Sequence, residues 1–266
     1  MTIRNENTLI SKMHKIMNIW HEGTRPGNDG NAGNTLEDLL DVPENNFSLP
    51  DFGSIEIKTQ RYETGSLLTL FHKEPKPGGS VPKLLLSLGW RHNEAGKKYN
   101  QNEMSFRSTT YGHRFSDRGF RINIDNEKIL FKFDPSKVNR KAIDRTNIYN
   151  NYGEWSDDVK NRNNPNYQDV LPVYYLRSEI ENQFRIKLNH TLFVLCSTRK
   201  RSGIKQYCYK EAFLLKDIQP QKISNLINIG RMVIDFDART KHNHGTKFRI
   251  QKNELNSLFD NAQQIN

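Results

Sequence analysis

Apolar and polar positions follow two rhythms along this chain. Over residues 7–20, Leu9, Ile10, Met13, Ile16, Met17 and Trp20 recur three and four apart, which predicts an amphipathic first helix. A second, shorter helix is predicted over residues 36–40, capped by Asn34 or Thr35. Period two then takes over. Ile55-Glu56-Ile57-Lys58 alternates as a half-buried strand does, and residues 66–71 form an apolar run expected to be a buried strand. The apolar stretch 81–90 fits either a strand or a helix. Residues 121–125 and 129–133 read as a hairpin closed at Asn126-Glu127. A strand at 173–176 leads into a helix near 178–188, and strands at 191–197 and 205–213 flank a basic turn. Residues 223–229 are helical or mixed, and 232–237 read as a strand with acids at alternate positions. A loop over 238–247 precedes a strand at 248–250, and a final helix is expected over about 252–262. No internal repeat interrupts this order.

Between these elements lie polar stretches. Residues 21–33 carry four glycines and a proline among Arg, Asn and Thr, a flexible connection whose amides could approach a phosphate, although no phosphate-loop motif is present. Residues 91–120 interleave Arg107, Arg114 and Arg118 with Phe106, Tyr111 and Phe115, a mixture that suits either a nucleic-acid backbone or a solvated excursion. Residues 134–170 are rich in Asn, Asp and Lys, as a mobile segment or an added subdomain would be.

Composition narrows the class. With 266 residues, 35% hydrophobic content and a mean hydropathy of -0.82, the chain can hold one large domain or two lobes under a polar surface. Forty Lys and Arg against 30 Asp and Glu give +10, which favours a polyanionic partner. The two cysteines, Cys196 and Cys208, lie in apolar strand-like runs without zinc spacing and are expected to be reduced core thiols. The N-terminal residues lack a signal-peptide core and no run is long enough to span a bilayer, so a cytoplasmic protein without membrane association is expected.

Two constellations carry candidate chemistry. In Pro50-Asp51-Phe52-Gly53-Ser54-Ile55-Glu56-Ile57-Lys58, the strand alternation puts Glu56 and Lys58 on one face with Asp51 at its entrance. Two carboxylates and a lysine are the groups that metal-assisted phosphodiester hydrolysis needs: the acids hold a divalent cation and the lysine orients the attacking water. This is the form of the PD-(D/E)xK nucleases, though a wet strand face would carry the same residue types. An acid on the preceding helix, Glu37 or Asp38, could reach such a site from the side. The second constellation holds Asp235, Asp237, Arg239, Lys241, His242, Asn243, His244, Thr246, Lys247 and Arg249. It reads as a base-reading hairpin, since Arg donates bidentately to guanine, Asp accepts from cytosine, and His, Asn and Thr supplement both. A His and Asp metal site is a less favoured reading, because Asn243 and Gly245 argue for a turn.

Taken together, several stretches resemble the MvaI/BcnI family of Type II restriction endonucleases, in the MutH-like branch of the PD-(D/E)xK nucleases. They are Trp20-His21-Glu22 with Arg25 and Gly27-Asn28-x-Gly30; Thr35-Leu36-Glu37-Asp38-Leu39-Leu40; Pro50-Asp51-Phe52 with Ile55-Glu56-Ile57-Lys58-Thr59; Ser66-Leu67-Leu68-Thr69-Leu70-Phe71; and, far along the chain, His242-x-His244-Gly245-Thr246-x-Phe248-Arg249-Ile250. The resemblance implies an α/β (α+β) restriction-endonuclease fold, a mixed central sheet flanked by helices, with a second, DNA-recognition lobe. Residues 1–90, with parts of the C-terminal region, would form the core of the catalytic lobe, and 91–266 mainly the recognition lobe and insertions. It implies Mg²⁺ held by Asp51, Glu56 and the Ile57 carbonyl, with Lys58 positioning water and Glu37 supporting the site. The substrate implied is double-stranded DNA, cut by a monomer at a short GC-bounded pseudopalindrome, CCWGG or CCNGG. No protein partner is required, and a methyltransferase is expected genetically. Asp235, His242, His244 and Arg249 align with DNA-facing positions; the family arginine two residues after Asp235 is Asp237 here, so Arg239 could take over that guanine contact or the target could differ. A MutH-like nuclease or nickase with another site, or a DNA-binding protein without cleavage, are the alternatives, and an intact Lys58 argues against the last.

Overall fold

The computed structural model describes residues 4–27, 30–43, 49–163 and 171–265. Asn28 and Asp29 of the glycine-rich loop, and residues 164–170 of the polar segment, lie outside them. In chain order the elements begin with α1 (Glu6–Ile16), β1 (Trp20–Glu22), α2 (Asn31–Leu39), β2 (Glu56–Arg61), β3 (Leu68–His72), α3 (Ser80–Leu88) and β4 (Trp90–Arg91). There follow β5 (Met104–Thr110), β6 (Arg118–Ile124), β7 (Lys128–Val138), α4 (Tyr152–Asn163), β8 (Val173–Leu176) and α5 (Arg177–Leu188). The last elements are β9 (His190–Arg201), β10 (Ile204–Ile218), α6 (Lys222–Asn228), β11 (Met232–Arg239), β12 (His242–Asn243), β13 (Lys247–Ile250) and β14 (Phe259–Ile265). The chain divides into two units: Met1–Leu68 with Glu181–Pro220 and Gln251–Asn266, and Thr69–Ile180 with Gln221–Ile250. Both are discontinuous, and the division does not coincide with a boundary near residue 90. Among the described residues no helix is long and apolar enough to cross a membrane.

The first unit is built on a mixed sheet in the order β1-β10-β9-β2, with β14 also on β10; β2 runs parallel to β9 and the other pairs are antiparallel. Leu9, Met13 and Ile16 of α1 and Leu36 of α2 share its core with Ile55, Ile57, Leu192, Val194, Tyr207 and Tyr209. Burying a side chain of this size contributes about 1.5–3 kcal/mol, which holds both helices against the sheet. Cys196 and Cys208 are buried free thiols, as expected, and burial pushes Cys196 up to about 12.

Three sequence expectations change here. The first helix stops at Ile16: Met17 is extended and Asn18 adopts a left-handed φ of 62°, which turns the chain so that Trp20 enters β1 opposite Cys208. The second helix starts earlier, at Asn31, where the Asn31 carboxamide accepts from the Arg25 amide (3.0 Å) and the Thr35 hydroxyl donates to the Asn31 carbonyl (2.7 Å). Its polar first turn has the composition of a loop. The expected C-terminal helix is two 3-10 turns followed by β14, which pairs along β10 from Ile218–Phe259 to Ala212–Ile265. An open strand edge outweighs local helix preference there, and buried Phe259 and Ile265 anchor the pairing.

The second unit contains a sheet ordered β3-β13-β11-β5-β4 with β12 on β11, and an antiparallel sheet β6-β7-β8. The β6–β7 hairpin closes as predicted, with the Asp125 carboxylate accepting from the Glu127 and Lys128 amides (2.9 and 2.7 Å). The 81–90 run resolves into α3 and β4, joined at Gly89, where a Cβ would lie 2.2 Å from the Leu85 carbonyl oxygen. The polar 134–163 stretch is packed rather than loose. Trp155 of α4 is fully buried, and the Arg118 guanidinium lies over Trp90 (4.0 Å), Trp155 and Tyr152 while pairing with buried Asp144 at 2.8 Å.

Candidate functional site

In the first unit, a tight turn places the acids. Phe52 and Ile55 exchange backbone hydrogen bonds of 2.8 and 3.0 Å around Gly53, whose φ of 64° and 2.5 Å approach to the Arg4 carbonyl oxygen leave no room for a Cβ. The turn brings Asp51 back onto the strand, where its Oδ2 accepts from the Ile57 amide at 2.9 Å. The Asp51 carboxylate is thus fixed to the backbone between Glu56 and Lys58. Glu56 is 1% exposed, and its Oε1 accepts from Lys58 Nζ at 2.5 Å. Its Oε2 is buried and accepts no hydrogen bond from the described residues, while Lys187 Nζ of α5 stands 3.4 Å away.

Burial raises Glu56 above the ordinary carboxylate range, with Asp51 raising it further and Lys58 and Lys187 opposing. Glu37 of α2 is raised as well, by burial first and then by Asp51, so the two acids share a field. Asp38 is engaged elsewhere: its carboxylate accepts from the Thr24 hydroxyl at 2.5 Å and pairs with Arg25 at 3.1 Å. The structure therefore brings Glu37, Asp51, Glu56 and Lys58 together, while the Asp38 side chain, also on α2, is held by Thr24 and Arg25 of the glycine-rich loop. Among the described residues no group of three or more His, Cys, Asp or Glu side chains could hold a metal. The donors present are two carboxylates and backbone oxygen, and the unsatisfied, buried Glu56 Oε2 fits a hard cation with oxygen ligands.

In the second unit, β11 presents Asp235, Asp237 and Arg239 on one face, while Ile234, Phe236 and Ala238 enter the core on the other. Register extends the charged face over both neighbours: Asp235 lies opposite Lys247 and Thr109, Val233 opposite Arg249, and Asp237 opposite Arg107. Every acid on it is paired. Arg249 Nη1 reaches Asp235 Oδ2 at 2.6 Å; Lys247 and Arg107 each approach Asp237 at 2.9 Å; Arg239 pairs with buried Glu103 at 2.9 Å and lies over the Tyr99 ring at 4.6 Å. Burial pushes Asp237 up, but its two cations outweigh this and lower it. His242 and His244 are exposed with rings 4.2 Å apart, T-shaped. Thr246 corrects an expectation. It is fully buried, its amide donating to Glu74 Oε1 at 3.0 Å, so it braces the base of the hairpin instead of facing outward.

Sequence reasoning missed Lys187 and the part of β5 in the charged face. Lys187 sits on a helix far along the chain from Glu56, and only the parallel β2–β9 pairing makes them neighbours. Arg107 is visible in the sequence as a cation, whereas its strand partner is not. A further feature of the first unit is the end of the β9–β10 hairpin, where Lys200, Arg201 and Lys205 are exposed beside a cavity of about 970 Å³ lined by Gly23, Gly27, Asn31 and Arg199.

Comparison with known proteins gives the family and the fold. The model of the MvaI/BcnI restriction endonuclease family matches residues 10–259. Among solved structures, the chain is similar to the restriction endonuclease MvaI in complex with its cognate DNA substrate, at 26% identity over 98% of each chain with a TM-score of 0.74. It is also similar to MvaI in the absence of DNA, at 25% identity over 100% of each chain with a TM-score of 0.51. No curated protein sequence matches it. Fold and family together define the class: a restriction endonuclease, a site-specific deoxyribonuclease that hydrolyses phosphodiester bonds. Within that class, the chain belongs to the MvaI/BcnI restriction endonuclease family, whose enzymes generally work with a divalent metal ion.

Proposed function

We propose that the protein is a monomeric, Mg²⁺-dependent Type II restriction endonuclease that cuts double-stranded DNA at a short GC-bounded pseudopalindrome, CCWGG or CCNGG. One observation carries the active-site assignment: Asp51 is hydrogen-bonded to the Ile57 amide within the strand that bears buried Glu56 and Lys58. On this reading Asp51, Glu56 and the Ile57 carbonyl hold the cation. When bound, it supplies Lewis-acid stabilisation of charge on the phosphate. Lys58, already donating to Glu56, orients the attacking water toward the phosphorus. Glu37 acts on the field of Asp51 from the helix behind. Water attacks in line, leaving 5′-phosphate and 3′-hydroxyl ends.

Recognition is assigned to the charged face of the second unit. Arg249 and Arg239 supply the bidentate donors that guanine takes in the major groove, Asp235 an acceptor for cytosine, and His242 and His244 sit exposed at the hairpin end. The cationic hairpin end of the first unit supplies phosphate contacts that carry no sequence information. The likeness to MvaI held with cognate DNA supports a DNA partner. The test is digestion of unmethylated plasmid with Mg²⁺ or Mn²⁺. Discrete fragments are expected, and sequencing their ends gives site and cut position. Asp51→Ala and Lys58→Ala should stop cutting while DNA binding persists; normal cutting by either variant would place the active site elsewhere.

A further inference from the structure

We infer that Lys187 is a positioning residue that occupies the cation's place at Glu56 in the free enzyme and must yield Oε2 before a divalent ion can bind. The inference rests on the metal reading of Asp51 and Glu56 given above.

The fold brings Lys187 there. Leu188, the next residue, is fully buried and ends α5; its carbonyl accepts from the Thr191 hydroxyl at 2.9 Å, and Thr191 is the residue paired with Glu56 across β9 and β2. The end of the helix is therefore tied to the strand position beside Glu56, so the Lys187 backbone stays within side-chain reach of Glu56 while β9 holds its register.

The two lysines at Glu56 are held differently. Lys58 Nζ is 2.5 Å from Oε1, a full charge-assisted hydrogen bond. Lys187 Nζ is 3.4 Å from Oε2 and 3.5 Å from its other oxygen partner, the Leu49 carbonyl. Both distances are long for an ammonium donor. Lys187 thus neutralises a buried carboxylate, yet among the described residues makes no close bond to hold it there, and its side chain keeps 14% of its surface open. Lys58 is fixed and Lys187 is exchangeable.

A divalent ion on Oε2 and an ammonium a few ångströms away repel each other. At about 4 Å, even water-like screening makes that repulsion worth about tenfold or more in metal affinity. Metal binding to the free protein is weakened accordingly, and moving Lys187 off Glu56 restores it.

Mg²⁺ titration of the full-length protein without DNA, by calorimetry at mildly alkaline pH, tests this with wild type, Lys187→Met, Lys187→Arg and Glu56→Gln. Lys187→Met should bind Mg²⁺ about tenfold tighter or more than wild type, and Lys187→Arg should return to the weak wild-type value. A gain of affinity is not what structural damage produces. Equal or weaker binding by Lys187→Met overturns the inference, as does absence of binding in both proteins. If Glu56→Gln binds Mg²⁺ as wild type does, the ion sits elsewhere and the metal reading itself is what fails.

Discussion

Arg249 and Asp235 allow stability and DNA reading to be separated. Arg249 Nη1 lies 2.6 Å from Asp235 Oδ2, with side-chain exposures of 26% and 12%. Asp235 Oδ1 is buried with no hydrogen bond among the described residues, so the carboxylate depends on the arginine for compensation. Breaking a fully buried pair by removing one partner costs about 3–5 kcal/mol; the partial exposure of Arg249 lowers this to about 2 kcal/mol for Arg249→Ala. For a chain of this size that is about 4–8 °C in Tm. Removing both partners leaves no orphaned charge, so Asp235→Ala combined with Arg249→Ala should recover most of the lost stability. DNA binding should not recover. Loss of a bidentate guanine contact costs about 1–3 kcal/mol, or about 5- to 150-fold in affinity, and the double variant lacks that contact as fully as the single one. Thermal melts, with competition binding between plasmid fragments that carry or lack the cut site, measure both. An Arg249→Ala protein that melts with wild type refutes the pairing argument; a double variant that binds the site with wild-type affinity refutes the reading role.

Two further expectations follow from the first unit. Glu37 has a folded-state pKa raised mainly by burial and then by Asp51, so its contribution to stability is fully present below its unfolded pKa and is lost as pH rises through the folded value. Glu37→Gln should therefore melt higher than wild type at neutral pH in the absence of metal, with the difference closing toward acid; a gap that widens on acidification contradicts the assigned shift. At the hairpin end, replacing exposed Lys200, Arg201 and Lys205 by Ala should flatten the dependence of log K on log salt by about 0.9 per lost phosphate contact, about 2.7 in all, without moving the cut position. An unchanged slope removes this hairpin from the DNA contacts.

Local chemistry makes parts of the molecule legible in the amino-acid order alone. The Glu56–Lys58 alternation, the Asp51 turn and the β6–β7 hairpin follow from period-two patterning and turn residues, and each is present where the pattern puts it. What stays hidden is decided by partners distant in sequence. β14 is a strand because β10 is long enough to offer it an edge, and nothing within 259–265 announces that edge. Trp20 completes a helical stripe yet belongs to β1, where Arg199 stacks over its ring at 4.1 Å. Glu37 and Asp38 are equivalent by sequence and are separated by what each side chain meets. Lys187 has no sequence signal at all, because its place depends on the parallel pairing of β2 with β9.

The two units share one electrostatic arrangement, and it bears on selectivity. Glu56 is neutralised by Lys58 and Lys187, Asp235 by Arg249, Asp237 by Lys247 and Arg107, and Glu103 by Arg239. A protein with +10 net charge would be drawn to any DNA, yet the cations assigned to reading are already paired with acids of their own. A wrong base offers an arginine on this face nothing in exchange for the carboxylate it holds, while guanine offers two acceptors and the neighbouring cytosine a donor for the carboxylate. On the proposed reading, specificity comes from exchange: the paired state penalises partial matches, since opening a pair without replacing both ends leaves a charge uncompensated. Exposed hairpin cations such as Lys200 and Arg201 carry no such condition, and on this reading they supply attraction without discrimination.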